Sequence, residues 1–279
     1  ADIARKQGRF DEAEAHLAAA ADDFRAVDDE AGLGQVLHLS GTVAAMRGDL
    51  ETARGRYLES LAIREALGDQ AKIGALYSNL AVVAEYEGDI HEAEKLSRLA
   101  YRIRVEAGDR WGIGVSLHNL GVYTQRLGRP DEARASVEQA IRIMTEVGDR
   151  WFAATERMLL GNMARDEGDL ATARGHYRDA IPTYLEVGDP VAQAEFLEDV
   201  GVLASQMAHH ETALELVEAA SVMRASIGNT ESDAALEEFR ARLAASFTAL
   251  DAPAVAAARV HGAALAPAEA IGLALELCR

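Results

Sequence analysis

A spacing of forty residues governs this chain. The pair Gly68-Asp69 recurs as Gly108-Asp109, Gly148-Asp149 and Gly188-Asp189, then as Gly228-Asn229, with Asp28-Asp29 one step earlier as a degenerate copy. Midway between lies a second ladder, Gly8, Gly48, Gly88, Gly128 and Gly168, with Ala208 in the sixth place. Three more ladders hold only small residues. One is Ala13, Ala53, Ala93, Ala133, Ala173 and Ala213; another is Ala20, Ser60, Ala100, Ala140, Ala180 and Ala220. The third is Gly41, Ala81, Gly121, Gly161 and Gly201. Copies at one spacing without an insertion mark a stacked array.

One copy, residues 110–149, reads as two helices. From Trp111 to about Leu127, Ile113, Leu117, Leu120 and Thr124 fall at helical spacing and form an apolar stripe. Gly128 tolerates the left-handed backbone that ends a helix, and Pro130 suits the first turn of the next. Asp131 and Glu132 favour the positive start of that second helix. Ala133, Val137, Ala140 and Ile141 are expected to face inward before Gly148 closes the helix and Asp149 caps its successor. Each helix is about 17 residues, roughly 25 Å. Two such helices cannot bury both apolar faces, so neighbouring copies must stack. Gly121 and Ala133 are expected to let the two backbones approach closely.

These residues resemble the tetratricopeptide repeat (TPR) family in a forty-residue form. The resemblance rests on Leu120-Gly121 and Leu160-Gly161 late in the first helix, Ala133 early in the second, Tyr57 or Tyr177 four residues beyond that alanine, and a small residue three further on. Gly-Asp stands where the family usually has proline. HEAT and armadillo arrays share the period but lack this glycine and alanine grammar. The resemblance implies an all-α, right-handed superhelical solenoid of helical hairpins with a C-terminal helical cap.

The expected organisation is a partial hairpin over 1–29, five repeats (30–69, 70–109, 110–149, 150–189 and 190–229) and capping helices over 230–279. Residue 1 is not methionine and falls inside a first helix, so the polypeptide is expected to continue upstream. Pro182, inside a second helix, is expected to kink it. The tail reads as a helix from Glu231 to about Phe247 and two short helices split near Pro267. Within it Gly262, Leu265, Glu269, Ala270 and Ile271 resemble the C-terminus of LuxR-type and related ATP-binding bacterial regulators. That resemblance implies the sensor or self-association arm of a larger signalling or transcription-regulating ATPase.

Composition narrows the function. Apolar residues make up 49% and aromatics 5%, with five prolines, which disfavours a β sandwich or barrel. The net charge of −18 makes the region a poor direct binder of nucleic acid or an anionic membrane. No apolar run of membrane-spanning length occurs, and a single cysteine, Cys278, fits a reducing cytoplasm. Residues 101–180 carry 12 basic and 12 acidic side chains, while 181–279 carry 5 and 15. An acidic partner is therefore expected to dock on the middle copies.

In the TPR family the first helices line the concave groove. Carried over, the groove positions are His38; then Ser78, Asn79 and Glu85; then His118, Asn119, Gln125 and Arg126. Asn162 and Arg165 follow, then Glu195, Glu198 and Asp199. Asn79 and Asn119 share a register and offer amides that can hold a peptide backbone, although each can equally bond a neighbouring helix. Arg126 and Arg165 can pair with an anionic ligand or with nearby acids such as Asp166 and Glu167. Trp111 and Trp151 are expected to pack between hairpins. His209-His210 is a weak metal signal, Arg47-Gly48-Asp49 is a turn, and Gly112-x-Gly114 has no preceding strand to make a phosphate loop.

No catalytic, metal or cofactor constellation is legible, so the chain reads as a non-enzymatic module that binds a protein or peptide partner, other domains of its own polypeptide included. Self-association is a further expectation. The alternative reading is a stand-alone TPR adaptor holding an extended peptide in its groove.

Overall fold

A computed structural model describes residues 9–228 and 233–279, with the side chains of 233–236 and 238 excepted. Gly8, Asn229 and the expected helix start at Glu231 lie outside the described residues. The fold is all-α, with fifteen helices and no strand among those residues. Two compact units divide the chain, one up to Val147 and one from Gly148.

In the first unit α1 (Phe10–Ala26) is followed by three hairpins: α2 (Glu30–Met46) with α3 (Leu50–Leu67), α4 (Gln70–Tyr86) with α5 (Ile90–Ala107), and α6 (Arg110–Arg126) with α7 (Pro130–Glu146). The second unit holds α8 (Arg150–Asp166) with α9 (Leu170–Val187) and α10 (Pro190–Gln206) with α11 (His210–Ser226). It closes with α12 (Asp233–Arg242), α13 (Ala244–Ala249), α14 (Ala252–Ala264) and α15 (Pro267–Leu277). The expected single helix reaching Phe247 is thus broken at Leu243, whose side chain turns into the core. Pro182 lies inside α9, which runs unbroken.

The helix ends follow from the glycine ladders. Gly48, Gly68, Gly88, Gly108, Gly128, Gly148, Gly168 and Gly188 all take positive φ. At Gly48 the turn is a Schellman motif: its N–H reaches the Ala45 carbonyl at 3.0 Å, and the Asp49 N–H reaches Ala44 at 2.9 Å. The aspartate that follows then accepts from the next helix, as Asp149 does from the Phe152 N–H at 3.0 Å. Where the ladder degenerates the backbone keeps its shape: Asp28 (φ 52°) and Ala208 (φ 63°) are left-handed without being glycine.

Within each hairpin a small residue on the first helix meets the second helix. A Cβ on Gly41 or Gly161 would strike the rings of Tyr57 or Tyr177, and on Gly121 or Gly201 the methyls of Val137 or Val217. The same Cβ would also press on the carbonyl of Ala53 or Ala213 at 3.2 Å for Gly41 and Gly201, and would meet that of Ala133 at van der Waals contact, 3.5 Å, for Gly121. The expected approach of Gly121 to Ala133 is therefore present. In the remaining hairpin Ala81 replaces glycine, and the matching second-helix residue shrinks to Ser97. Along α7, Ala133, Val137 and Ala140 are buried as expected, but Ile143 and Met144 continue the inward face and Ile141 is only half-buried.

First helices of neighbouring hairpins also touch directly, α2 with α4, α4 with α6, and α8 with α10. No contact of that extent joins successive second helices. Each unit therefore has an inner side of first helices and an outer side of second helices.

Two outcomes follow for stability. Ala133 is fully buried, so Ala133→Leu is expected to lower the melting temperature, at about 1–3 kcal/mol, while Leu at exposed Ala135 is expected to leave it unchanged. Ala208→Gly removes left-handed strain and is expected to stabilise by about 1 kcal/mol. A thermal melt in which Ala208→Gly lowers the midpoint contradicts the strain.

Candidate partner-binding face

Polar side chains on the first helices bond from one hairpin to the next. In the first unit, Nδ2 of Asn79 on α4 donates to Nε2 of His38 on α2 at 2.7 Å. Glu85 on α4 accepts from the Tyr123 hydroxyl at 3.1 Å and from Nη1 of Arg126 at 2.6 Å, both on α6. In the second unit, Asp199 on α10 accepts from Nδ2 of Asn162 at 3.0 Å and from Nη1 of Arg165 at 2.9 Å, both on α8. Each bond spans about one repeat, so the inner side is laced hairpin to hairpin.

The positions expected to line a groove divide into three groups. Those already engaged are His38, Asn79, Glu85, Arg126, Asn162, Arg165, Glu198 and Asp199. Arg165 is buried and also bonds Asp166, the Asn162 carbonyl and the Tyr177 hydroxyl. Glu198 receives a bidentate pair from Arg224 at 2.6 and 2.7 Å. A second group lies inward: Ser78 is buried with its hydroxyl lacking a hydrogen bond, and the Gln125 carbonyl oxygen is likewise buried and unbonded. The third group lines the face: His118 and Asn119 half-buried on α6, and Glu195 exposed on α10. The Asn119 amide makes no hydrogen bond among the described residues.

His38 illustrates the local electrostatics. Burial, then the nearby charges of Lys72 and Arg64, bring its pKa down to about 4. The ring is therefore neutral near pH 7 and can accept the Asn79 bond, while its edge meets the Tyr57 ring at 5.9 Å.

Several residues depart from expectation or escaped it. Trp111 and Trp151 are 49% and 39% exposed, and Trp151 lies against Tyr184 of its own hairpin rather than between hairpins. His210 bonds the Ser246 hydroxyl at 3.1 Å, and no group of three or more potential metal ligands occurs among the described residues. Arg64 and Arg104, buried at 6% and 4% exposure, were not singled out by sequence. Arg104 donates to the Gly112 carbonyl and the Ser116 hydroxyl, each at 2.8 Å, and so joins α5 to α6. The available signal was Gly34 and Gly74, which leave room for these two side chains.

The tetratricopeptide repeat model matches residues 1–66 and 72–146, just over half of the chain. The chain belongs to the tetratricopeptide repeat family. The solved structure of BtubC (BKLC) from P. vanneervenii is similar in fold, with a TM-score of 0.67 at 18% identity, covering 80% of this chain and 94% of that one. TPR-like repeats of a putative kinesin light chain from Podosopora anserina align with a TM-score of 0.55 at 15% identity, covering 70% and 96%. No curated protein matches the chain. The TPR array is a protein–protein interaction module, and proteins of this family are generally scaffolds rather than enzymes. No described helix is long and apolar enough to cross a membrane.

The His38 arrangement gives a pH dependence with a defined sign. Between about pH 6.5 and 4 the unfolded chain binds a proton that folded His38 does not, so stability falls as pH falls through that window. His38→Gln keeps a side-chain partner for Asn79 but does not titrate. It is expected to flatten the pH slope of denaturant-measured stability by about one proton in that window; an unchanged slope removes His38 as its source.

Proposed function

We propose that the inner side of the first unit binds an extended segment of a protein partner, with the Asn119 amide as its central contact. The observation that carries this is a half-buried asparagine whose amide is unpaired among the described residues, on a face where neighbouring polar groups are mostly engaged. Such an amide offers a donor and an acceptor at once, the complement of a peptide group in an extended chain. Asn79 stands forty residues earlier with its nitrogen committed to His38, which leaves its carbonyl oxygen for the same segment. Groove lining by His38, Ser78, Glu85, His118, Gln125 and Arg126 belongs to this reading. The corresponding positions in the second unit, Asn162, Arg165, Glu195, Glu198 and Asp199, form a more acidic lining largely committed to ion pairs.

The module acts without catalysis, in the cytoplasm, on a partner that can be another domain of the same polypeptide or a second copy, and it does not bind nucleic acid directly. A second reading, supported by the tail residues Gly262, Leu265, Glu269, Ala270 and Ile271, places it as the regulatory arm of a larger bacterial signalling ATPase. Reading the coding sequence upstream for a phosphate-binding Gly-x-x-x-x-Gly-Lys-(Ser/Thr) loop separates that from a stand-alone adaptor.

Peptides selected from a displayed library on the full chain test the groove. Asn79→Ala with Asn119→Ala is expected to weaken them about tenfold, the scale of a lost hydrogen bond or two. Selected peptides that bind the double variant equally well refute the assignment.

A further inference from the structure

The outer side of the first unit carries a groove that the inner-face reading does not use. It lies between the second helices α5 and α7, has a volume of about 660 Å³, and is floored by Leu117 and Leu120 of α6, with Ser136 on the α7 side. The α5 wall presents His91, Lys95, Arg98 and Arg102, with Glu94 and Tyr101 among them. These four fall at i, i+4, i+7 and i+11, so they share one helix face along about 16 Å.

The charge of this wall runs against that of the chain. Arg98 pairs with Glu94 and Glu132, and Lys95, 75% exposed, pairs with Glu92 on its own helix. Arg102 has no ion pair among the described residues. In a chain of net charge −18, Lys95, Arg98 and Arg102 on one helix face beside a single lining carboxylate, Glu94, give this groove a local excess of positive side chains. The equivalent groove between α1 and α3 differs: Glu14, Asp22 and Asp49 line it beside Arg25 and Arg56. The α5–α7 groove thus joins an apolar floor to a lining of three basic side chains and one carboxylate, where its counterpart has two basic side chains and three carboxylates.

We propose that the α5–α7 groove docks an acidic amphipathic helix of a partner protein. Its apolar stripe sits on Leu117, Leu120 and Tyr101, and its carboxylates meet Arg102, Lys95 and Arg98. A helix matches because the basic side chains repeat at helical spacing and two helices already form the walls. A nucleic acid fits poorly, since a uniform polyanion would also meet Glu92, Glu94 and Glu132.

The test uses the full chain and labelled synthetic helices of about four turns, read by fluorescence anisotropy. One carries Glu at i, i+4, i+7 and i+11 beside a Leu stripe, a second has Lys for Glu, and a third has Ser for Leu. The first is expected to bind, and more weakly at high salt; the other two are not. Lys95→Glu with Arg102→Glu is expected to weaken binding about tenfold or more, while Asn79→Ala with Asn119→Ala leaves it unchanged, so this site and the inner face fail separately. Should the double reversal melt early, Arg102→Gln, which loses no ion pair, is expected to weaken binding in the same direction. No binding of the acidic helix up to about 1 mM, equal binding by the charge variants, or displacement by a single-stranded oligonucleotide overturns the proposal.

Discussion

The close approach of two backbones at a small first-helix residue is the contact on which each hairpin depends. Interiors are packed densely enough that one extra methyl is felt. The chain answers this with paired sizes: Gly41 with Tyr57, Gly121 with Val137, Gly161 with Tyr177, Gly201 with Val217, and Ala81 with Ser97. Where the first helix gains a methyl, the second loses its bulky side chain. Once this distance is set, the ladder of Ala20, Ser60 and Ala100 can come close as well: the Ser60 hydroxyl donates to the Gly34 carbonyl at 2.7 Å.

The same contact shapes the polar inner side. Where the bulky partner is tyrosine, its hydroxyl crosses to the first helix, Tyr57 to Thr42 at 3.3 Å and Tyr177 to Asn162 at 2.6 Å. Where it is valine or serine, the residue matching Thr42 is apolar: Val82, Val122 and Val202. Burial raises the Tyr177 phenol far above its ordinary pKa, so it keeps the proton it donates. Asn162, oriented by that bond, then reaches Asp199 of the next hairpin. Core size therefore sets whether this one first-helix position, Thr42 and Asn162 against Val82, Val122 and Val202, is polar.

Helix ends and the small-residue contacts were legible because each has a local signature, a left-handed glycine, a capping aspartate or a fixed spacing. Side-chain partners forty residues apart were not. That Asn79 meets His38, or that Arg126 meets Glu85 rather than a neighbour in its own helix, depends on the separation of two first helices, which no spacing encodes. The buried arginines were hidden for a different reason. Charge in a sequence reads as surface, and only the room left by Gly34 and Gly74 betrays Arg64 and Arg104. Ile141 follows Ala140 by a single residue, a rotation of about 100° that takes it off the inward stripe, which continues instead at Ile143 and Met144.

The tail motif has a packing explanation of its own. A Cβ on Gly262 would fall on the backbone of Glu215, so glycine there lets α14 lie against α11. Leu265, Ala270 and Ile271 join the core that the last two hairpins share, and Glu269 accepts from the Ala266 N–H at 2.9 Å to start α15. Each matched residue thus has work to do in covering the apolar face that α10 and α11 would otherwise leave to water. Any forty-residue array that ends on such a hairpin meets the same demand, whatever effector it is joined to. The tail residues are therefore accounted for by how the array is closed.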